Sequence, residues 1–175
     1  MRPDPLLEQY GHLFLHKAPR GPVLDLASGD CHNGIYLAAS GLEVICCDVS
    51  AESLGRARSL AVAAGVEINT WHVDLERDGL NPLPLDFFAG IIVFRYLHRP
   101  LIASIKMAIK NQGILIYKTY TIAQQKFGKP SNPNFLLQPA ELLSWFGAWK
   151  INHHFEGFQE NPKRAIAQIV CQKPA

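Results

Sequence analysis

Residues 23–30 read Val23-Leu24-Asp25-Leu26-Ala27-Ser28-Gly29-Asp30, and this stretch decides the fold. An apolar run that closes on an acid and leads into a turn of small residues is typical of a buried β-strand followed by a loop. A helix-forming stretch at 35–39 and a second apolar strand ending in Asp48 come next. Asp48 lies 23 residues beyond Asp25, where a nucleotide-binding β-α-β unit places the carboxylate that binds ribose hydroxyls. The chain is therefore predicted to bind a cofactor that contains adenosine.

The acid at the end of this first strand indicates which cofactor is bound. A dinucleotide rests its pyrophosphate on a helix N-terminus that is free of nearby negative charge, so Asp25 argues against it. S-adenosylmethionine has no phosphate and carries a sulfonium and an α-amino group, which a carboxylate near the loop would stabilise. We therefore expect S-adenosylmethionine. A nicotinamide-dependent oxidoreductase is the weaker alternative, because Gly29 and Gly34 do not form a Gly-x-Gly-x-x-Gly turn by themselves.

The stretch from Asp25 to Cys31 resembles the first motif of class I S-adenosylmethionine-dependent methyltransferases, in which an acid, an apolar residue and two small residues precede Gly-any-Gly. The tracts 96–100 and 127–137 resemble a compact bacterial group related to tellurite-resistance-type methyltransferases. The resemblance covers most of the chain. It implies methyl transfer from S-adenosylmethionine, with S-adenosylhomocysteine as the product.

Two features depart from the pattern of that group. Cys31 stands where the group has a second glycine, and Lys118, Gln125 and Asn134 stand where it tends to be acidic. A side chain in the left-handed backbone conformation expected at Cys31 costs roughly 1–2 kcal/mol. These departures support a second hypothesis from another class, a catalytically silent cofactor-binding or partner-binding protein that retains the fold.

Strand-forming and helix-forming segments alternate along the chain. The predicted strands are 22–27, 43–48, 67–72, 87–94, 114–119, 150–155 and 164–171, and the predicted helices are about 5–14, 33–40, 51–64, 101–110 and 140–146. We predict an α/β, Rossmann-like fold with a seven-stranded sheet, mostly parallel, a C-terminal antiparallel hairpin and helices on both faces, built from five strand–helix units. One domain over 1–175 is expected, with a leader helix within 1–17 and a possible lid loop at 120–134.

Ligands of open α/β sheets bind at the carboxyl ends of the strands, where the strand order reverses. The residues predicted to bind the cofactor there are Asp25, Ala27, Gly29, Cys31, Asp48, Val49, Asp74, Leu75 and Phe94. Asp48 would accept hydrogen bonds from both ribose hydroxyls, and Asp74 would accept one from the adenine amino group. Leu75 would donate its backbone N–H to the ring, against which Val49 and Phe94 would pack. A helix-capping role for Asp48 and a turn role for Asp74 are the alternative interpretations.

Three further side chains are candidates for contacting the methyl acceptor: Tyr96, His98 and Lys118. Methyl transfer is an in-line displacement, so a general base is needed only if the acceptor is protonated. Each candidate has a structural alternative. His98 would cap the next helix, Tyr96 would cover the methionine part of the cofactor, and Lys118 would pair with a neighbouring acid.

The cysteines and histidines give no metal-binding pattern, and no metal is expected. His153 and His154 alternate faces of a strand and have no third ligand at metal spacing. The four cysteines include the adjacent pair Cys46-Cys47 and no Cys-x-x-Cys, which favours a reducing cytoplasm. Cys31 lies near a helix N-terminus, which lowers a thiol pKa, but without a paired base we expect an inert substitution.

The composition and charge of the chain limit which classes of partner are expected. A net charge of +2 with scattered cations does not indicate a nucleic-acid partner, and the longest apolar runs are strand-length, so no membrane span is expected. The leader helix and the loop at 120–134 are the only additions to the predicted fold, which leaves little room for a substrate domain. A small-molecule acceptor is therefore expected, for a monomer or homodimer.

Overall fold

The structure is a computed structural model that describes residues 2–77 and 81–175; Met1 of the predicted leader segment lies outside the described residues. Its strands are β1 (Val23–Leu26), β2 (Val44–Asp48), β3 (Asn69–His72), β4 (Phe88–Phe94), β5 (Ile109–Tyr120), β6 (Lys150–Gln159) and β7 (Arg164–Gln172). They form one sheet in the order β3-β2-β1-β4-β5-β7-β6. Neighbouring strands from β1 to β5 pair in parallel, and β7 pairs antiparallel with both β5 and β6. The predicted sheet and its C-terminal hairpin are confirmed.

The helices are α1 (Pro5–Tyr10), α2 (His12–His16), α3 (His32–Ala39), α4 (Ala51–Ala63), α5 (Ile102–Ala108) and α6 (Glu141–Phe146). Short 3₁₀ segments span Arg99–Leu101, Ile122–Lys126 and Pro133–Phe135. Asp4 begins α1 by accepting a hydrogen bond from the backbone N–H of Leu6 at 2.9 Å, as expected for an acid before Pro5. Among the described residues no helix is both long and apolar enough to cross a bilayer.

Several predicted elements differ from the structure, including β6, which extends to Gln159 and does not end at residue 155. The leader helix is divided into α1 and α2 at Gly11. Strand β5 begins at Ile109 rather than at residue 114, because Ile109 already has an extended backbone and pairs with Phe88. The described residues between β3 and β4, 73–77 and 81–87, contain no helix, so the prediction of five strand–helix units is wrong at this crossover.

Apolar side chains pack on both faces of the sheet, as predicted. Helices α1 to α4 cover one face, where Leu7, Leu37 and Leu54 contact the strands. Helices α5 and α6 cover the other face with residues such as Ile105 and Phe146. The central strand β4 is buried along its whole length. Burial on both faces is typical of a parallel sheet. The parallel pairing of β1 with β2 and with β4 places the carboxyl ends of these three strands side by side.

The leader segment packs directly on the centre of the sheet. The ring of Phe14 in α2 lies against the backbone of Gly90 in β4, where a side-chain carbon would clash with the ring and with the carbonyl of Ile114. Phe14 is almost fully buried. Only glycine fits at position 90, because the ring of Phe14 occupies the space that a side chain would need.

We predict that Phe14→Ala destabilises the protein by about 3–5 kcal/mol, since it removes a buried ring and leaves a cavity over β4. For a chain of this size the Tm falls by at least roughly 6 °C. Leu15→Ala is the matched control, because Leu15 is 48% exposed on the same helix, and it should change the Tm little. Thermal unfolding by circular dichroism measures both. Equal melting temperatures for Phe14→Ala and the wild type would mean that residues 1–17 are not part of the folded domain.

Candidate functional site

The loop after β1 has an unusual backbone. Ala27, Gly29 and Cys31 all have left-handed φ angles, of 54°, 54° and 56°. Only glycine adopts this conformation without strain, so Ala27 and Cys31 each cost roughly 1–2 kcal/mol. The expected left-handed position of Cys31 is confirmed. The space where Gly29 would carry a side chain contains no atom within 4 Å, which leaves its backbone open to a ligand.

Asp48 holds this loop in place. Its Oδ2 accepts a hydrogen bond from the backbone N–H of Gly29 at 2.8 Å, and its Oδ1 accepts one from the N–H of Ser50 at 2.8 Å. Ser50 in turn caps α4 by accepting from Ser53 N–H at 3.1 Å. One half-buried carboxylate thus joins the loop after β1 to the start of α4. Each carboxylate oxygen still has a lone pair for another donor, so the ribose and capping roles are compatible.

Asp25 lies beneath the loop. Its side chain is 2% exposed, and its Oδ2 accepts a hydrogen bond from Gly34 N–H at 2.9 Å and lies 3.6 Å from Cys31 Sγ. Burial raises the pKa of this carboxyl to about 8. The hydrogen bond from Gly34 N–H lowers the pKa, and the charge of Asp48 adds a smaller rise. Asp25 is therefore largely protonated at neutral pH. The charged carboxylate that the sequence led us to expect near the sulfonium is therefore not provided by Asp25, because this group is desolvated.

Cys31 is joined to Cys46 of β2 by a disulfide with a Cα–Cα distance of 6.0 Å, and both residues are fully buried. Asp25 and Cys46 are partners in the β1–β2 register, which places the carboxyl beside the sulfur atoms. The chain spacing did not show this covalent partner, and that Cys31 is an inert substitution stays a prediction. Ligand atoms of Asp25, Cys31 and Cys46 lie within 4.8 Å of one another, but bonded sulfurs are not thiolate ligands.

Two adjoining clefts open at the carboxyl ends of the strands. The first, of about 510 Å³, is called the loop cleft; residues 27–30 line it together with Asn33 and Phe94. The second, of about 540 Å³, is called the strand-end cleft and is lined by Asp48, Val49 and residues 73–76. Ala27 and Arg95 line both. A larger cleft of about 830 Å³ lies at the opposite end of the strands, near Glu43 and Asn69, away from all of these groups.

A third, smaller cleft continues from the second. It has a volume of about 150 Å³, is called the aromatic cleft, and is lined by Tyr96, Tyr120, Pro130 and Phe135 as well as by Arg95. Tyr96 also lines the strand-end cleft. Its hydroxyl is buried and makes no hydrogen bond of standard geometry among the described residues, but the Glu76 carboxylate lies near it; burial, and after it the charge and the looser hydrogen bonding of Glu76, raise its pKa far above the usual value. This hydroxyl stays protonated and can donate a hydrogen bond.

The structure brings most of the predicted cofactor residues together. Asp48, Val49, Asp74 and Leu75 line the strand-end cleft, Asp25, Gly29 and Phe94 line the loop cleft, and Ala27 lines both. Cys31 lines neither cleft, because its side chain points beneath the loop. That Phe94 and Val49 both pack against the adenine stays a prediction, since Val49 lines the strand-end cleft and Phe94 lines the loop cleft. Phe94 packs on the sheet face of Ile92 and lies in the wall of the loop cleft.

Of the three predicted acceptor contacts, only Tyr96 lines these clefts. Lys118 Nζ pairs with Asp4 Oδ1 at 3.0 Å, and both side chains are largely buried. Lys118 thus anchors the leader helix, the alternative that the sequence had left open. The backbone of His98 begins the 3₁₀ segment at Arg99, although its side chain makes no capping hydrogen bond.

Arg95 and Ser28 were given no role from the sequence, although both lie in segments that follow the carboxyl ends of strands. Arg95 follows β4 with a left-handed φ of 58°, donates its N–H to the carbonyl of Lys118 at 2.9 Å, and lines all three clefts. Among the ion pairs of the described residues it takes part in none. Ser28 Oγ is buried in the wall of the loop cleft and has no hydrogen-bond partner within residues 2–77 and 81–175. The position of Arg95 at the end of β4 was the available signal.

The loop at 120–134 is tied down at both ends. Near its start Gln124 accepts a hydrogen bond from Ala165 N–H at 2.9 Å and donates one to the carbonyl of Lys129 at 3.2 Å. At its end Arg99 donates to the carbonyl of Asn134 at 3.1 Å and forms a bidentate pair with Glu141 at 2.6 and 2.9 Å. The loop forms a wall of the aromatic cleft, and its opening as a lid stays a prediction.

Comparison with known proteins agrees with this geometry. Residues 23–113, slightly more than half of the chain, match the family described as "Methyltransferase domain". The chain belongs to this family, and the predicted membership of the class I S-adenosylmethionine-dependent methyltransferases is confirmed. A comparison with curated proteins finds no match.

Similar solved structures show the same fold. TehB from Haemophilus influenzae has a TM-score of 0.75 and 18% identity, covering 96% of this chain and 61% of TehB, so the chain spans about three fifths of that protein. An S-adenosylmethionine-dependent methyltransferase from Methanosarcina mazei has a TM-score of 0.72 and 13% identity, covering 99% of each chain. The [4+2]-cyclase SpnF has a TM-score of 0.73 and 14% identity, covering 97% of this chain and 80% of SpnF. The fold alone therefore does not fix the reaction.

We predict a specific pH dependence of stability from Asp25. Its folded pKa of about 8 lies above the ordinary 3.8, so between these values the unfolded chain releases a proton that the folded protein keeps. The unfolding free energy therefore falls as the pH rises, by up to about 1.4 kcal/mol per unit. Asp25→Asn keeps an oxygen that accepts from Gly34 N–H but removes this titration. In urea unfolding, the unfolding free energy of the variant relative to that of the wild type should rise by roughly 1–4 kcal/mol between pH 5 and pH 8.

Asp30→Asn is the matched control, because Asp30 lies on the solvent side of the same loop and pairs with Arg56. It should leave the slope with pH close to that of the wild type. Parallel pH profiles for Asp25→Asn and the wild type would show that Asp25 is ionised in the folded protein.

Proposed function

We propose that this protein binds S-adenosylmethionine across the loop cleft and the strand-end cleft and transfers its methyl group to a small, anionic acceptor. One observation carries the proposal. The two clefts meet over Ala27, where Asp48 is hydrogen-bonded to the open backbone of Gly29. A carboxylate next to a bare glycine backbone suits a ligand with ribose hydroxyls on one side and an amino-acid group on the other.

The residues of the clefts fit the cofactor. Asp48 would hold the ribose, and Val49, Asp74 and Leu75 would surround the adenine in the strand-end cleft. The amino-acid part would lie in the loop cleft, where the buried hydroxyl of Ser28 has no partner in the part of the chain that the structure describes. A buried hydroxyl without a partner is costly, and a polar ligand group would satisfy it.

When bound, the cofactor supplies an electrophilic methyl group on a sulfonium. The chain then has to orient the acceptor and keep water away, because an in-line displacement gains most from positioning. Tyr96 lies where the strand-end and aromatic clefts meet, and its hydroxyl stays protonated. It would donate a hydrogen bond to the acceptor and would not act as a general base.

Arg95 favours an anionic acceptor, such as a carboxylate or an oxyanion. An arginine close to a sulfonium repels it, and an anionic acceptor between the two charges would remove that cost. Arg95 lines every cleft of the site and is exposed, so its guanidinium can reach such a group. An acceptor that is already deprotonated also needs no base. The small volume of the aromatic cleft favours a small molecule over a macromolecule.

The second candidate is a catalytically silent protein that binds the cofactor without turnover. Two observations favour it. Lys118 pairs with Asp4, and His98 lines none of the three clefts, so two of the three predicted acceptor contacts are not in place. Mass spectrometry of small molecules after incubation with S-adenosylmethionine distinguishes the two candidates, because only the enzyme releases S-adenosylhomocysteine with a methylated product.

We predict that S-adenosylmethionine and S-adenosylhomocysteine bind the wild type and raise its Tm. Asp48→Ala should weaken the binding of each ligand by at least about tenfold. The variant loses charge-assisted hydrogen bonds worth roughly 1.5–3 kcal/mol each. Its Tm should also fall, because the N–H groups of Gly29 and Ser50 lose their acceptor. Titration calorimetry and thermal unfolding measure the two effects.

Glu52→Ala is the matched control, since it removes an 86% exposed carboxylate from the first turn of the helix that follows Asp48. Its cofactor affinity should equal that of the wild type. Unchanged affinity in Asp48→Ala would restrict Asp48 to a structural role. Binding of a nicotinamide dinucleotide in place of S-adenosylmethionine would overturn the proposed cofactor.

We predict that Arg95→Gln raises the ratio of the affinity for S-adenosylmethionine to that for S-adenosylhomocysteine by about fivefold, because only S-adenosylmethionine carries a sulfonium that Arg95 repels. Arg58→Gln, the same charge change on α4 away from these clefts, should leave the ratio unchanged. With S-adenosylhomocysteine bound, small carboxylates or oxyanions should stabilise the wild type more than their neutral amides. An unchanged ratio in Arg95→Gln, or a preference for neutral compounds, would contradict the role of Arg95.

A further inference from the structure

The disulfide joins the two elements that form the proposed cofactor site. Cys31 ends the loop after β1 and begins α3, and Cys46 lies on β2 two residues before Asp48. Cys31 donates its N–H to the carbonyl of Ser28 at 2.9 Å. A shift of Cys31 would therefore also shift Ser28, which lines the loop cleft. The bond lies under this cleft and is fully buried.

The space around the two sulfur atoms fits a bonded pair. Bonded sulfurs are about 2.05 Å apart, whereas two thiol sulfurs need roughly 3.5–4 Å. A side-chain atom at Gly34 would lie 2.5 Å from Cys31 Sγ and 2.9 Å from Cys46 Sγ, and Asp25 Oδ2 lies 3.6 Å from Cys31 Sγ. Cleavage of the bond therefore forces the sulfurs apart in a packed site, and some backbone has to move.

The loop is the part that moves. Cys46 is fixed in the sheet, since β2 pairs with β1 at Asp25 and with β3 at Thr70. Cys31 has a left-handed backbone with a φ of 56°, which a residue with a side chain keeps only where its surroundings impose it. The disulfide is one such constraint. Without it, Cys31 is free to relax, and Ser28 and Gly29 move with it.

We propose that Cys31 and Cys46 form a reversible covalent modification site for thiol–disulfide exchange, whose disulfide form holds the loop ready for the cofactor and whose dithiol form binds the cofactor more weakly. The inference rests on the proposed function, because it concerns the affinity of that same site. The reacting partner is a low-molecular-weight dithiol, because the bond is fully buried. Since cofactor affinity differs between the two forms, bound cofactor in turn favours the disulfide form.

The exchange balances in two steps. The thiolate of the reductant attacks one sulfur and forms a mixed disulfide, and the other cysteine sulfur leaves with the electron pair and takes up a proton. A second thiol of the reductant then attacks the mixed disulfide, which releases the second cysteine thiol and the oxidised reductant. Asp25, whose pKa burial raises to about 8, lies beside Cys31 and holds a proton for the leaving sulfur.

The test compares the two redox forms of the wild type. Alkylation under denaturing conditions should label Cys47 and Cys171 in the oxidised form and all four cysteines after dithiothreitol. Calorimetry should give a dissociation constant for S-adenosylhomocysteine about tenfold higher in the reduced form. Without ligand the Tm should fall by roughly 6–12 °C on reduction, because the crosslink closes a loop of 15 residues.

Substitutions separate the bond from the backbone. Cys31→Ser and Cys46→Ala should bind S-adenosylhomocysteine as weakly as the reduced wild type and should not respond to dithiothreitol. Cys31→Gly should bind nearly as tightly as the oxidised wild type, because glycine keeps the left-handed conformation without a crosslink. Cys47→Ala is the matched control, since its buried thiol faces the opposite side of the sheet, and it should keep the full redox response.

Three outcomes would overturn the inference. The first is four free thiols after treatment with oxidised glutathione, and the second is equal affinity in both redox forms while the alkylation pattern changes. In the second case the proposed function stands and only the redox control fails. The third is no binding of S-adenosylmethionine or S-adenosylhomocysteine by either form, which overturns the proposed function together with its redox control.

Discussion

The carboxylate of Asp48 carries out the interaction on which the rest of the site depends. It accepts from the N–H groups of Gly29 and Ser50, both at 2.8 Å, and so joins the ends of two neighbouring parallel strands. The loop that it holds includes the strained residues Ala27 and Cys31. Strain of this kind persists only where the surroundings over-determine the backbone, and it is common at ligand sites. Asp48 holds the loop from above, and Asp25 and the disulfide hold it from below, so the surroundings impose this strained backbone.

Charge in the site is arranged for positioning rather than for acid–base chemistry. Asp25 is kept neutral by burial, Tyr96 keeps its proton, and Lys118 forms an ion pair with Asp4. Arg95 is left as the exposed cation where the three clefts meet. A site of this composition would hold an acceptor that arrives already deprotonated. It would also bind the cofactor without turnover if no such acceptor reaches it.

Sequence alone predicted the parts that follow from local pattern. The carboxyl ends of parallel strands lie side by side, so Asp48, Val49 and Leu75 could be grouped before their positions were known. Contacts set by register or by distant segments could not be predicted in this way. Cys31 meets Cys46 only through the β1–β2 register and a left-handed turn, and Lys118 meets Asp4 across 114 residues of chain. The protonation of Asp25 depends on burial, which a strand pattern does not measure.

The most direct test of the central claim is a crystal structure of the oxidised protein with S-adenosylhomocysteine. We predict ribose hydroxyls within hydrogen-bond distance of Asp48, adenine between Val49 and Leu75, and the amino-acid part against Ser28 and Gly29. The sulfur would then face Arg95 and Tyr96, where an acceptor would approach. A ligand in the cleft near Glu43 and Asn69, or one bound at the strand ends without contact to Asp48, would contradict the account.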